Sequence, residues 1–298
     1  MAISRRAVLA GSGAGLGLAA CSPAWAQTRS PSGLRIMTGD YAADRLAFRT
    51  KLLMRAPAPQ PHGMPSAPRG VREIDYPSGD LRLRAWIGLP TPAPERAPIV
   101  LFLHGGFAFS EEDWEMMRPF REAGYAVVMP SVRGENGQAG AFSMFFDEVG
   151  DVLAVTDYVR SQPWADPRRI HVAGHSAGGT LAMLAGLASP HYRALAPFSG
   201  SPDQLMLAKG LPKIVPFDRT DPAEYEIRSP LSYATSFKAP ARLFLGRQEE
   251  FYRASTRLLA TLARKAGKDV AAVEVAGDHF NAVPEEIDRA IAFFRANA

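Results

Sequence analysis

Ile170-His171-Val172-Ala173-Gly174-His175-Ser176-Ala177-Gly178-Gly179 is the stretch on which the fold turns. The residues up to Ala173 form a short apolar, partly β-branched run that reads as a buried strand, and a helical period begins near Ala177 and continues to 188. Between them, in Gly174-His175-Ser176-Ala177-Gly178, a serine sits in the pattern G-x-S-x-G. A serine there must occupy a strained strand-to-helix turn, and the flanking glycines keep side chains away from it. Its hydroxyl then stands clear at a helix N-terminus, where partial positive charge favours developing negative charge.

Working outward, the same alternation repeats. Leu81 to Leu89 alternates as a half-buried strand, with Pro77-Ser78-Gly79-Asp80 before it as a hairpin turn. Ile99 to Leu103 and Ala126 to Met129 are continuous apolar runs, expected of strands covered on both faces of a mainly parallel sheet. Ile170 to Ala173, Ala194 to Phe198, Ala241 to Leu245 and Ala271 to Val275 continue the series, with helices expected over 112–122, 144–161, 177–188, 252–266 and 284–296. Strands alternating with helices of this length imply right-handed βαβ units and a three-layer α/β domain, a mainly parallel twisted sheet with helices on both faces. Ligands in such sheets bind beyond the carboxyl ends of the strands, which points to the loops after 103, 130, 174, 199, 246 and 276.

A serine nucleophile needs a base and an oxyanion site. His104-Gly105-Gly106-Phe107 follows the strand 99–103, and backbone N–H groups of Gly106 or Phe107, with that of Ala177, would form an oxyanion hole. His104 itself reads as a packed, hydrogen-bonded histidine, because it precedes the turn that presents the donors. Of the six histidines, only His279 follows Ser176 at the end of a late strand, so it is the expected base; His191 lies in a surface-like Pro-His-Tyr turn. The acid should follow the strand 241–245, where Glu249 and Glu250 both qualify; Asp278, next to the base, points its side chain away. This chemistry requires no metal or organic cofactor.

The 298 residues are 47% hydrophobic and 21% charged with one cysteine, an ordinary globular composition that excludes a disulfide framework and a CxxC zinc site. The formal charge of +4 includes Arg5 and Arg6, and no run of five like charges occurs, so a nucleic-acid partner is not expected. Those arginines open a stretch with an apolar run and Ala24-Trp25-Ala26, read as a twin-arginine-type signal over 1–26 with periplasmic or secreted release. Leu18-Ala19-Ala20-Cys21 resembles a lipobox, so a lipid anchor at Cys21 is the competing fate, and the apolar run is too short and glycine-rich to be a membrane span. Residues 27–70 read as an arm: a helix from Tyr41 to Met54, then an extended stretch with prolines at 57, 59, 61, 65 and 68 lying over the main domain of 71–298.

From about Val71 to the C-terminus the chain resembles the catalytic domain of the prolyl oligopeptidase family within the α/β-hydrolase superfamily. The resemblance rests on His104-Gly105-Gly106, Arg133-Gly134-Glu135-Asn136-Gly137, the helix with Asp147 and Asp151, and Asp166-Pro167-Arg168-Arg169-Ile170. It continues through Gly174 to Gly179 and Arg228-Ser229-Pro230-Leu231-Ser232-Tyr233. It implies a triad of Ser176, His279 and Glu249, the last three residues after Gly246. The family usually carries aspartate at that position, a histidine where Leu245 stands, and Val-Pro where this chain has Phe251-Tyr252. The stretch 27–70 is too short for the β-propeller of the large members, so entry would be restricted by the arm and by a short apolar cap over the serine around 200–238. The expected activity is hydrolysis of a small ester or short peptide, in the manner of a serine peptidase or of a dienelactone-hydrolase-like carboxylesterase. A non-catalytic binding protein with a disabled triad is the reading from another class, motivated by the altered acid loop.

Overall fold

The computed structural model describes residues 29–298; the expected signal 1–26, with Cys21, lies outside the described residues. The strands are β1 (Arg72–Ser78), β2 (Leu81–Gly88), β3 (Ala97–Leu103), β4 (Ala126–Pro130), β5 (Ala165–His175), β6 (Ala194–Phe198), β7 (Ala241–Gly246) and β8 (Val270–Val275). They form one sheet in the order β1-β2-β4-β3-β5-β6-β7-β8. β1 and β2 are a hairpin turning at Gly79-Asp80, β2 runs antiparallel to β4, and every pairing from β4 across to β8 is parallel. Parallel neighbours need crossovers, and expected helices supply them: α2 (Glu111–Met116) and α3 (Arg118–Glu122), α4 (Asp147–Arg160), α5 (Ala177–Ala188) and α8 (Glu250–Lys265), while α9 (Val283–Ala296) follows the last strand. Three further short α-helices occur among the described residues: α1 (Tyr41–Ala47), α6 (Gln204–Gly210) and α7 (Pro222–Glu226).

Central strand β3 sorts the two cores by its period of two. Ile99, Leu101 and Leu103 face the layer of α4, α5 and α8, where Val149, Val152, Leu181, Leu184 and Leu259 are buried. Val100 and Phe102 face the opposite layer of α2, α3 and α9, with Trp114, Phe120, Ile287 and Phe294. Covering both faces explains why these strands are continuous apolar runs. Each large side chain so buried stabilises the fold by about 1.5–3 kcal/mol.

Several expected elements differ. The helix expected over 112–122 is two helices that break at Met117: Pro119 has no N–H to give to the preceding turn, so it sits in the first turn of a new helix. The helix expected from Tyr41 to Met54 ends at Ala47, because the chain is drawn off to 216–224. Thr50 Oγ1 and Lys51 N both donate to Glu224 at 2.8 Å, and Leu53 N donates to Pro216 O at 2.7 Å. The stretch 200–238, expected as a cap over the serine, contributes no lining to the cleft that holds Ser176. Its apolar residues Leu207, Val215 and Phe217 are buried in the α4–α5–α8 core, and buried Arg228 stacks 4.2 Å from the Phe217 ring. Covering that core face buries more apolar area than standing over a polar cleft would.

Candidate active site

Ser176 stands between β5 and α5 at φ +56°, ψ −114°, a conformation that costs a non-glycine residue about 1–3 kcal/mol. Neighbouring backbone holds it there: Ser176 N donates to Phe198 O at 2.9 Å, and Ser176 O accepts from Thr180 N at 3.1 Å. The glycines are required by close approach. A Cβ on Gly174 would lie 2.5 Å from Gly178 O, and one on Gly179 would lie 2.7 Å from Phe198 O.

His279 follows β8 and Glu249 follows β7. The two loops meet because Gly246 has no side chain, since a Cβ there would stand 2.5 Å from Gly277 O and 2.8 Å from Asp278 O. Gln248 N donates to Gly277 O at 3.0 Å and joins them. In consequence His279 Nδ1–H donates to Glu249 Oε1 at 2.9 Å, which leaves Nε2 with its lone pair free. Glu249 is buried, whereas Glu250 is exposed in the first turn of α8. Asp278 turns back on its own loop and accepts from Phe280 N and Asn281 N, both at 2.9 Å.

Three further side chains at this site carry no signal in the G-x-S-x-G pattern. Ser199, at φ +51° just past β6, donates Oγ–H to Glu249 Oε1 at 2.7 Å. A polar residue directly after a buried strand at the sheet's carboxyl edge is the cue that would have found it. His175 lies against His279, the rings tilted by 44° with centroids 4.7 Å apart, and donates Nε2–H to the His279 carbonyl at 2.8 Å. Burial lowers the His175 pKa, in keeping with a neutral ring in that role. Glu286 of α9 is fully buried, and neither carboxyl oxygen has a partner among the described residues; burial, then the charge of Glu249, pushes it up to about 8.

The loop after β3 brings Gly106 and Phe107 to the same place. A Cβ on Gly105 would lie 3.0 Å from His175 Nδ1 and 3.7 Å from Ser176 Cβ, so this loop abuts the serine turn. Phe107 N donates into the cleft, to the carboxamide oxygen of Gln60. Ala177 is the first residue of α5, and its N–H has no acceptor within the helix. His104 lies behind, buried, donating Nε2–H to Glu135 at 3.0 Å and Nδ1–H to Gly105 O at 2.9 Å. Burial opposes its charge, but Glu135 outweighs burial and raises it to about 9, so both nitrogens can donate.

Ser176 and His279 line a cleft of about 910 Å³ that also includes Gln60, His62 and Phe280. Its rim carries Glu111, Glu112 and Asp113, and among the described residues no lysine or arginine lines it. Among the described residues no cluster of His, Cys, Asp and Glu could hold a metal ion, and no helix is long and apolar enough to cross a membrane.

An eight-stranded sheet in this order, with a serine on a strained β5–α5 turn and a histidine–carboxylate pair on the loops after β7 and β8, defines a class. The chain has the α/β-hydrolase fold, and its site together with the matches below supports a serine hydrolase of peptidase or esterase type. Within it, residues 78–212 match the model of the X-Pro dipeptidyl-peptidase (S15) family. The chain is 26% identical over 208 residues to the uncharacterized peptidase YtmA of Bacillus subtilis, covering 62% of this chain and 77% of the relative. Among solved structures it is similar to Pyrococcus horikoshii acylaminoacyl peptidase, with a TM-score of 0.64 and 24% identity over 76% of this chain and 41% of that one. It is also similar to Est1E of Butyrivibrio proteoclasticus bound to ferulic acid, with a TM-score of 0.60 and 20% identity over 75% of this chain and 98% of that one. The chain thus spans about two-fifths of the acylaminoacyl peptidase and nearly all of Est1E.

Proposed function

We propose that the protein hydrolyses acyl bonds of short peptides or small esters through an acyl-enzyme on Ser176. The reading is carried by the 2.9 Å bond from His279 Nδ1 to Glu249, beside a cleft that His279 shares with Ser176. With Nδ1–H held by the carboxylate, His279 Nε2 accepts the Ser176 hydroxyl proton as Oγ bonds to the substrate carbonyl carbon. The oxygen of that carbonyl becomes an oxyanion, taken up by N–H groups of Gly106, Phe107 and Ala177, each worth about 3 kcal/mol in the transition state. His279 then returns the proton to the leaving amine or alkoxide as the bond to carbon breaks. Water, deprotonated by the same nitrogen, releases the acid and restores Ser176. Glu249 orients the ring and stabilises its charged form throughout.

A rim of carboxylates, with no cation among the described lining residues, favours neutral or cationic substrates, such as peptides with a free amino end, over anionic ones. The S15 match and the peptidase relatives support peptide substrates. An ester substrate is the second reading, supported by the near full-length likeness to Est1E with its bound ferulic acid. Fluorophosphonate labelling of the purified protein tests the class: labelling lost in Ser176→Ala is expected, and absence of labelling in the wild type overturns it in favour of a binding protein. Proline and alanine p-nitroanilides assayed beside p-nitrophenyl esters of graded chain length decide between peptide and ester. We also propose twin-arginine-type export with removal of 1–26, the alternative being lipidation of Cys21; the mass and first residue of the chain from a periplasmic extract distinguish the two.

A further inference from the structure

The proline-rich arm crosses the cleft as a strap anchored at both ends. On one side Phe142 N donates to Ala56 O and Ala58 N donates to Gly134 O, both at 2.9 Å. On the other, Asn136 Nδ2 donates to Gly63 O at 3.2 Å, and Asn136 is itself locked by 2.9 Å bonds to Phe109 N and Phe109 O. Between the anchors Gln60, Pro61 and His62 are exposed, and Gln60 and His62 line the cleft with Ser176 and His279. Pro57, Pro59 and Pro61 fix their φ angles, so the strap stays extended and Gln60 is presented at little entropic cost. Its carboxamide oxygen lands on Phe107 N, directly over Gly106, where any Cβ would collide with it.

A carboxamide carbonyl is the chemical likeness of the acyl carbonyl in a peptide or ester, and a backbone N–H has one hydrogen to give. We propose that Gln60 is an autoinhibitory residue that occupies the oxyanion site as an internal competitor, so that every acyl substrate must displace its carboxamide from Phe107 before reaction. This deepens the hydrolase reading above and rests on it. A competitor of this kind lowers the population of binding-competent enzyme without touching the chemistry of the bound state. It therefore raises KM and leaves kcat unchanged.

The test is a steady-state comparison of wild type, Gln60→Ala and Gln60→Glu on one p-nitrophenyl ester, alongside second-order rates of fluorophosphonate labelling. Gln60→Ala removes a single hydrogen bond from an exposed residue, so KM is expected to fall by about two- to tenfold and labelling to accelerate by the same factor, with kcat constant. Gln60→Glu makes the bond charge-assisted and stronger, so KM is expected to rise above wild type. An unchanged or higher KM in Gln60→Ala overturns the proposal, and so does a loss of kcat, which would make Gln60 a contributor to catalysis. Equal labelling rates with an active enzyme sink this inference alone, whereas no labelling in either protein sinks the hydrolase reading and this inference with it.

Discussion

Glu249 Oε1 receives two hydrogen bonds, from His279 Nδ1 at 2.9 Å and from Ser199 Oγ at 2.7 Å, while Oε2 of the same carboxylate is buried without a partner among the described residues. The whole orienting force on the imidazole therefore passes through one oxygen. Glu249→Gln leaves the shape of the side chain but removes its charge and its insistence on an Nδ1–H tautomer, so kcat should fall by roughly 10³–10⁴. Glu250→Gln, changing an exposed side chain, should leave it unaltered. Steady-state kinetics on the two variants decides the acid, and the opposite ranking would assign it to Glu250. Ser199→Ala removes the other bond to Oε1. A hydrogen bond to a charged group contributes about 1.5–3 kcal/mol, so a loss of about tenfold in kcat with KM unchanged is expected if half of that reaches the transition state. Activity equal to wild type would show that packing and the His279 bond hold the carboxylate without Ser199.

At the scale of elements, the site is a meeting of five loops at the carboxyl edge of the sheet, and glycines set how closely they meet. Gly246→Ala places a methyl group against Gly277 O and Asp278 O and must part the Glu249 loop from the His279 loop. Overpacking of this kind costs about 1–3 kcal/mol. Urea denaturation should show that loss together with a fall in kcat, and a variant that loses stability but keeps kcat would separate loop contact from triad geometry. These loops were the legible part of the sequence. Strands buried on both faces read as unbroken apolar runs, so the sheet and the positions of Ser176, His279 and Gly106 at its edge follow from local pattern alone. The choice between Glu249 and Glu250 was not legible locally, because both carboxylates suit the loop and burial in three dimensions separates them. The bond from Ser199 to Glu249, the role of Gln60 and the true place of 200–238 were hidden for the same reason: each depends on contacts between distant parts of the chain. Gln60 meets Phe107 across 47 residues and Ser199 meets Glu249 across 50, separations on which no period of 2 or 3.6 bears.

The molecule as a whole carries buried titratable groups whose proton balances add. His104, raised to about 9 by Glu135 against the opposition of burial, is charged in both folded and unfolded chains below its ordinary 6.5. Between pH 6.5 and 9 only the folded chain keeps that proton, so the stabilisation by the His104–Glu135 pair is lost progressively across that window. Glu286, raised from 4.5 to about 8 chiefly by burial and then by Glu249, also holds a proton that the unfolded chain releases, so stability falls with rising pH between 4.5 and 8. Glu148, buried and raised to about 7, acts in the same sense over 4.5 to 7. His171 works in the opposite direction at low pH: burial lowers it to about 3, and stability declines as pH falls from 6.5 toward that value. The downward slopes of His104 and Glu286 coincide between pH 6.5 and 8, where Tm should fall most steeply as pH is raised. Glu286→Gln abolishes one of the two, so its Tm should exceed that of the wild type at pH 8.5 and the slope between 6.5 and 8 should become shallower. Differential scanning calorimetry of both proteins from pH 6 to 9 measures this directly. Parallel curves would mean that Glu286 is already ionised in the folded state, and that Glu249 bears a second buried negative charge beside it.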